Sequence, residues 1–108
     1  MELGQVIGKL IKQKKLTQIE VAERIGKSPT ALSQIIKGVY NPNPDTLEKI
    51  CTVLDIPQPI LYFLTISEKD IPEDKLDLYK MLAPALRDFV YRIFGDEISV
   101  LEQEVNLN

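Results

Sequence analysis

Leu3, Val6, Ile7, Leu10 and Ile11 recur at the three- and four-residue steps of one helical face, which predicts a helix over about residues 2 to 14. Two shorter apolar sets follow, Val21, Ala22 and Ile25, then Leu32 and Ile35. Leu47, Ile50, Cys51 and Leu54 predict a fourth helix ending near Leu54. Pro57 and Pro59 open a short fifth one that supplies Ile60, Leu61, Phe63 and Leu64 to the same core.

Punctuation residues sit where these helices must begin and end. Thr17 can cap the second helix, with Glu20 three residues on completing a capping box and Leu16 with Val21 forming a hydrophobic staple. Ser28 caps the third, and Pro29 at its first position forfeits only an N–H that has no helical partner. Asn43, Pro44 and Asp45 repeat that logic for the fourth helix, after a VYNPNP loop. Between the second and third helices, Gly26 falls where the chain must turn through a left-handed conformation, and Ala22 offers the small side chain that close helix crossing requires. Residues Gln18 to Lys37 therefore read as a helix-turn-helix whose core is Val21, Ala22, Ile25, Gly26, Leu32 and Ile35. Such a unit carries its second helix into the DNA major groove.

The run LTQIEVAERIGKSPTALSQIIKGVYNPNPDTLEKICTVLDI resembles the lambda-repressor-like, Cro/CI-type (XRE) DNA-binding domain, and the likeness extends over roughly residues 3 to 64. It lies in the TQ opening, the A-x-x-I-G turn, the S-x-x-x-L-S-x-I helix, the K-G exit, the N-P loop and the L-x-K-I-C-x-x-L fourth helix. The resemblance implies an all-α fold, a five-helix DNA-binding domain over residues 1 to 66 with a C-terminal helical extension over 67 to 108. Many members of the family carry Glu near the end of the recognition helix, where this chain has Ile36, expected here as an exposed aliphatic.

The extension starts with a polar stretch, SEKDIPEDK, and then becomes strongly periodic. Leu76, Tyr79, Ala83, Leu86, Val90 and Ile93 step by three and four alternately, and Leu82, Phe89 and Phe94 broaden the stripe. Pro84 removes a backbone donor and disfavours helix at Ala83, so a kink or a junction of two helices is expected there. Two readings of this apolar surface stand side by side. Either the segment folds back on its own domain, or Leu82, Leu86, Phe89, Val90 and Ile93 form a two-fold dimer interface. A dimer reads both halves of a palindrome about one helical turn apart. Residues 96 to 108 are compatible with a short helix or a terminal strand.

Charge changes the picture only when it is resolved along the chain. The total is -3 and the isoelectric point near 4.9, unlike the usual footprint of a nucleic-acid binder. Residues 1 to 40, however, hold seven Lys or Arg against three Glu, a net of +4, whereas residues 41 to 108 hold six against thirteen, a net of -7. With a Debye length of about 8 Å at physiological salt, a distant acidic segment does not cancel a local basic surface.

On the recognition helix, Thr30, Ser33, Gln34 and Lys37 face away from Leu32 and Ile35. The family resemblance implies base-reading roles for Pro29, Thr30 and Gln34, with Ser33 beside them. Gln34 suits bidentate pairing with adenine, worth about 1 to 3 kcal/mol of discrimination, and Thr30 or Pro29 suits a thymine methyl. A merely solvated polar face is the other reading of these residues. Phosphate contacts are expected from Thr17, Gln18, Lys27, Ser28, Lys37, Tyr40 and Asn41. Tyr40 alternatively packs on the domain, and Lys27 alternatively is plain solvated charge.

Other classes leave little trace. There is no His, no cysteine pair, no glycine-rich phosphate loop and no metal-ligand spacing, so neither an enzyme nor a cofactor is expected. Cys51 reads as a reduced core thiol. No stretch approaches the roughly 18 apolar residues of a membrane span, and a cytoplasmic protein with no membrane partner is expected. The expected function is a dimeric, sequence-specific transcriptional regulator, most simply a repressor. The alternative is an antitoxin-type or other interaction module that binds a partner protein through its aliphatic C-terminal helices.

Overall fold

The computed structural model describes residues 2–94, and every regular element among them is helical. In chain order these are α1 (Leu3–Gln13), α2 (Gln18–Ile25), α3 (Pro29–Ile36), α4 (Pro44–Leu54) and α5 (Gln58–Phe63). Two single 3-10 turns, Glu68–Asp70 and Glu73–Lys75, lead into α6 (Leu76–Phe94). The expected segment 96 to 108 lies outside the described residues.

The apolar faces read from the sequence meet in one core. Val6, Ile7 and Leu10 of α1, Val21 and Ala22 of α2, Leu32 of α3, Ile50 and Leu54 of α4 and Leu61 of α5 have no solvent exposure. Burial of this kind contributes about 1.5–3 kcal/mol per large aliphatic side chain, enough to hold helices that are individually too short to persist in water. α2 packs on α3 and α4, while α1 packs on α3 and α5. Cys51 is a buried free thiol within the same cluster, and burial pushes its pKa up.

Helix starts follow the predicted caps. The Thr17 hydroxyl accepts from the Glu20 backbone N–H at 3.1 Å, Ser28 from Ala31 at 3.1 Å and Asn43 from Thr46 at 2.8 Å. The return half of the expected capping box differs. Glu20 receives the Thr17 hydroxyl proton at 3.1 Å instead of reaching the Thr17 backbone N–H.

Two expectations are corrected at the ends of the domain. Ile36 is half-buried rather than exposed, packed against the core and over Gly8 of α1, where a Cβ would stand 3.0 Å from the Ile36 Cγ2. The reason is a pair of glycines one helical turn apart, Gly4 and Gly8. They strip α1 of side chains where the C-terminal end of α3 crosses it, and a Cβ on Gly4 would lie 2.6 Å from the Ile36 carbonyl oxygen.

Of the two outcomes expected at Pro84, a kink or a junction of two helices, the junction is absent, because the segment forms one α-helix with Pro84 inside it on the exposed side. Tertiary anchors on both sides of the proline hold it. Tyr79 donates its hydroxyl to the Ile66 carbonyl at 3.0 Å, and Arg87 donates to that same carbonyl and to the Tyr79 hydroxyl. This clamp also sets the register. Leu76, Tyr79, Ala83 and Val90 of the expected stripe turn inward, with Tyr91 and Phe94, but the inward line runs through Arg87. Leu86 and Ile93 are therefore on the outer side, exposed with Leu78, Met81, Leu82 and Phe89. Val90, expected at a dimer interface, is buried against its own domain. Next to it, the Lys9 ammonium lies 4.4 Å from the Tyr91 ring centroid and ties α1 to α6.

Candidate nucleic-acid interface

The turn between α2 and α3 is built by Gly26, whose φ of 72° is left-handed. Its geometry lets the Lys27 N–H close back on the Ala22 carbonyl at 2.9 Å, which satisfies a carbonyl at the helix end. Ala22 is fully buried at the crossing with α3, and Leu32 and Ile35 seat α3 on α2 and α1. Because these two residues define the inward side of an eight-residue helix, its other side must face solvent. Pro29, Thr30 and Gln34 are exposed there, and Ser33 is half-buried between them and the core.

After α3 the chain leaves through Gly38, with φ of 81°, and the Val39 N–H bonds to the Gln34 carbonyl at 2.9 Å. The loop then folds back along the helix. The Tyr40 hydroxyl donates to the Ala31 carbonyl at 3.2 Å, although the ring stays 44% exposed.

That bond matters for the expected phosphate contacts. A tyrosine hydroxyl has one proton to give, and in Tyr40 it is committed to Ala31. The same holds for Thr17, whose proton goes to Glu20. Both hydroxyl protons are thus engaged within the chain and brace the start of α2 and the loop after α3. Gln18, Lys27, Lys37 and Asn41 remain exposed, and neither lysine forms an ion pair among the described residues. The Ser28 oxygen accepts the Ala31 N–H, which leaves its own proton available.

Sequence reasoning missed two exposed aliphatics in this region, Ile19 at 66% and Val39 at 67% exposure. Ile19 was legible in principle, because it is out of phase with the inward set Val21, Ala22 and Ile25. Val39 lies in a loop, where no periodicity applies.

An exposed helix held on a scaffold by a tight left-handed turn defines a DNA-binding module of the helix-turn-helix class. Residues 7–57, a little under half of the chain, match the helix-turn-helix family profile of XRE type. Among characterised proteins, the chain is similar to the immunity repressor protein of Bacillus phage phi105. The two are 39% identical over 56 residues, which cover 52% of this chain and 39% of the repressor. This chain thus matches well under half of that relative's length. It is also similar to a cyanate hydratase of Pseudomonas putida strain F1, at 27% identity over 108 residues, covering 91% of this chain and 74% of the enzyme. No solved structure matches. The family profile and the phage relative support a DNA-binding transcriptional regulator. Among the described residues, no helix is long and apolar enough to cross a membrane.

Proposed function

We propose that the protein is a cytoplasmic, sequence-specific repressor that binds a palindromic operator as a homodimer. The observation that carries this reading is the outward face of α3, where Pro29, Thr30 and Gln34 are exposed while Leu32 and Ile35 anchor the helix. Gln34 and Thr30 read bases, with Pro29 and Ser33 flanking them. Gln18, Lys27, Ser28, Lys37 and Asn41 hold phosphates and set the register. The basic N-terminal part of the chain supplies the local field, although the whole protein is acidic.

One α3 helix reads few base pairs, and the exposed side chains Leu82, Leu86, Phe89 and Ile93 of α6 supply an apolar face for a second copy. The test is selection of bound sequences from a random duplex pool. Enrichment of a motif with two-fold symmetry and half-sites about 10 base pairs apart is expected. Enrichment of an asymmetric motif would refute dimeric reading, and no enrichment would refute sequence-specific binding. Phe89→Glu should leave a folded monomer by light scattering.

The cyanate hydratase relative aligns along most of the chain, so cyanate breakdown is measured alongside by ammonia release. No turnover above the blank is expected, and steady turnover would overturn the regulator reading.

A further inference from the structure

The two 3-10 turns before α6 leave a groove of about 360 Å³ between themselves, α5 and the inner edge of α6. Its size falls within the range of small-molecule sites, about 300–1,000 Å³. Phe63, Ile71, Leu78 and Leu82 form its apolar walls, and among the described residues Lys75 and Arg87 are the charged ones that line it. Among the described residues no carboxylate lines it, in a part of the chain that otherwise carries a large acidic excess.

Arg87 is the informative residue. It is half-buried, and its hydrogen bonds go to two neutral acceptors, the Ile66 carbonyl and the Tyr79 hydroxyl, both through Nη2. Nε and Nη1 make no hydrogen bond among the described residues, and no Asp or Glu there pairs with the guanidinium or with Lys75. A partly desolvated guanidinium with unused donors beside an apolar trough is complementary to a carboxylate attached to a hydrocarbon tail.

We propose that this groove binds a single-chain aliphatic carboxylate, with the carboxylate on Arg87 and Lys75 and the tail along Phe63, Ile71, Leu78 and Leu82. The inference stands apart from the DNA-binding reading, because none of these side chains belongs to α2 or α3. Leu82 belongs also to the proposed dimer face, so a ligand and a second copy meet at that side chain.

Calorimetric titration of the full-length protein with decanoate, and with decanol as the uncharged control, tests the proposal without any variant. Saturable decanoate binding, at least about tenfold tighter than decanol and weakened by added salt, is expected from a charge-assisted pair. Lys75→Gln, at an exposed side chain outside the Ile66–Tyr79–Arg87 clamp, should reduce decanoate binding by about threefold or more while leaving decanol binding within about twofold. Arg87→Lys, which keeps the charge, should retain part of the preference. Equal binding of decanoate and decanol overturns the proposal as plain hydrophobic adsorption. So does the absence of decanoate binding to a protein that sediments as a dimer, since the groove then serves the second copy.

Discussion

Gly4 lies against the main chain of Ile36, so closely that a Cβ there would stand 2.6 Å from the Ile36 carbonyl oxygen. This contact fixes how deeply the C-terminal end of α3 seats on α1, and hence how far the other side of α3 projects.

Gly4→Ala should destabilise the fold by about 1–3 kcal/mol, because the obstacle is backbone that cannot rotate away. The usual effect of the change in a helix interior is a gain of about 1 kcal/mol, so the sign alone is diagnostic. Gly8→Ala meets only the Ile36 Cγ2 at 3.0 Å and should cost less. Urea unfolding of both variants measures this, and a stabilised Gly4→Ala protein would contradict the packing.

Gly26→Ala isolates a different cost. Nothing lies within 4 Å of a Cβ at Gly26, so only its φ of 72° resists substitution. A loss of about 1 kcal/mol is expected for Gly26→Ala, and a smaller one for Gly26→Asn, because Asn tolerates the left-handed region. Equal thermal midpoints for the native protein and the Gly26→Ala variant would exclude a left-handed turn there.

On DNA, Lys37→Ala should weaken binding to all sequences and flatten the salt slope by about one unit, whereas Gln34→Ala should relax preference at one base pair. Tyr40→Phe should leave the salt slope unchanged while costing about 0.5–1.5 kcal/mol of stability through the lost bond to Ala31. Titrations at several salt concentrations separate the three, and indistinguishable losses would refute these roles.

Alkaline stability follows from Tyr91. Burial pushes its phenol pKa up, and the Arg87 charge opposes this with a smaller effect. The folded pKa thus lies above the unfolded one, so the stabilisation is fully present below the unfolded value, about 10, and is lost as pH rises through the folded value. Cys51 acts in the same direction from about pH 8.5. Urea unfolding from pH 8 upward should show stability falling, and Tyr91→Phe should make the fall shallower. An unchanged slope in that variant would show that Tyr91 does not contribute.

The recognition unit was legible because its determinants are local. Thr17, Gly26, Ser28, Pro29, Asn43 and Pro44 act on backbone within a few residues of themselves, and the spacing of Val21, Ala22, Ile25, Leu32 and Ile35 follows from the helical repeat. The exposed positions of Thr30 and Gln34 follow from the same register. Sequence also placed Cys51 in the core, because it continues the face of Leu47, Ile50 and Leu54.

What the chain alone left open depends on groups far apart in sequence. Ile36 reads as a surface aliphatic until Gly4 and Gly8, far earlier in the chain, are seen to admit it. Tyr40 reads equally as a phosphate contact or as packed on the domain until the loop folds back and gives its hydroxyl the Ala31 carbonyl. Along α6, periodicity placed Leu86 on the stripe, whereas the structure turns Arg87 inward, where the Ile66 carbonyl takes its hydrogen bond. That choice turned Leu86 and Ile93 outward and carried the helix through Pro84. Local propensity determines where helices start, stop and turn, whereas the rotation of a helix about its own axis is set by the partners that fold against it.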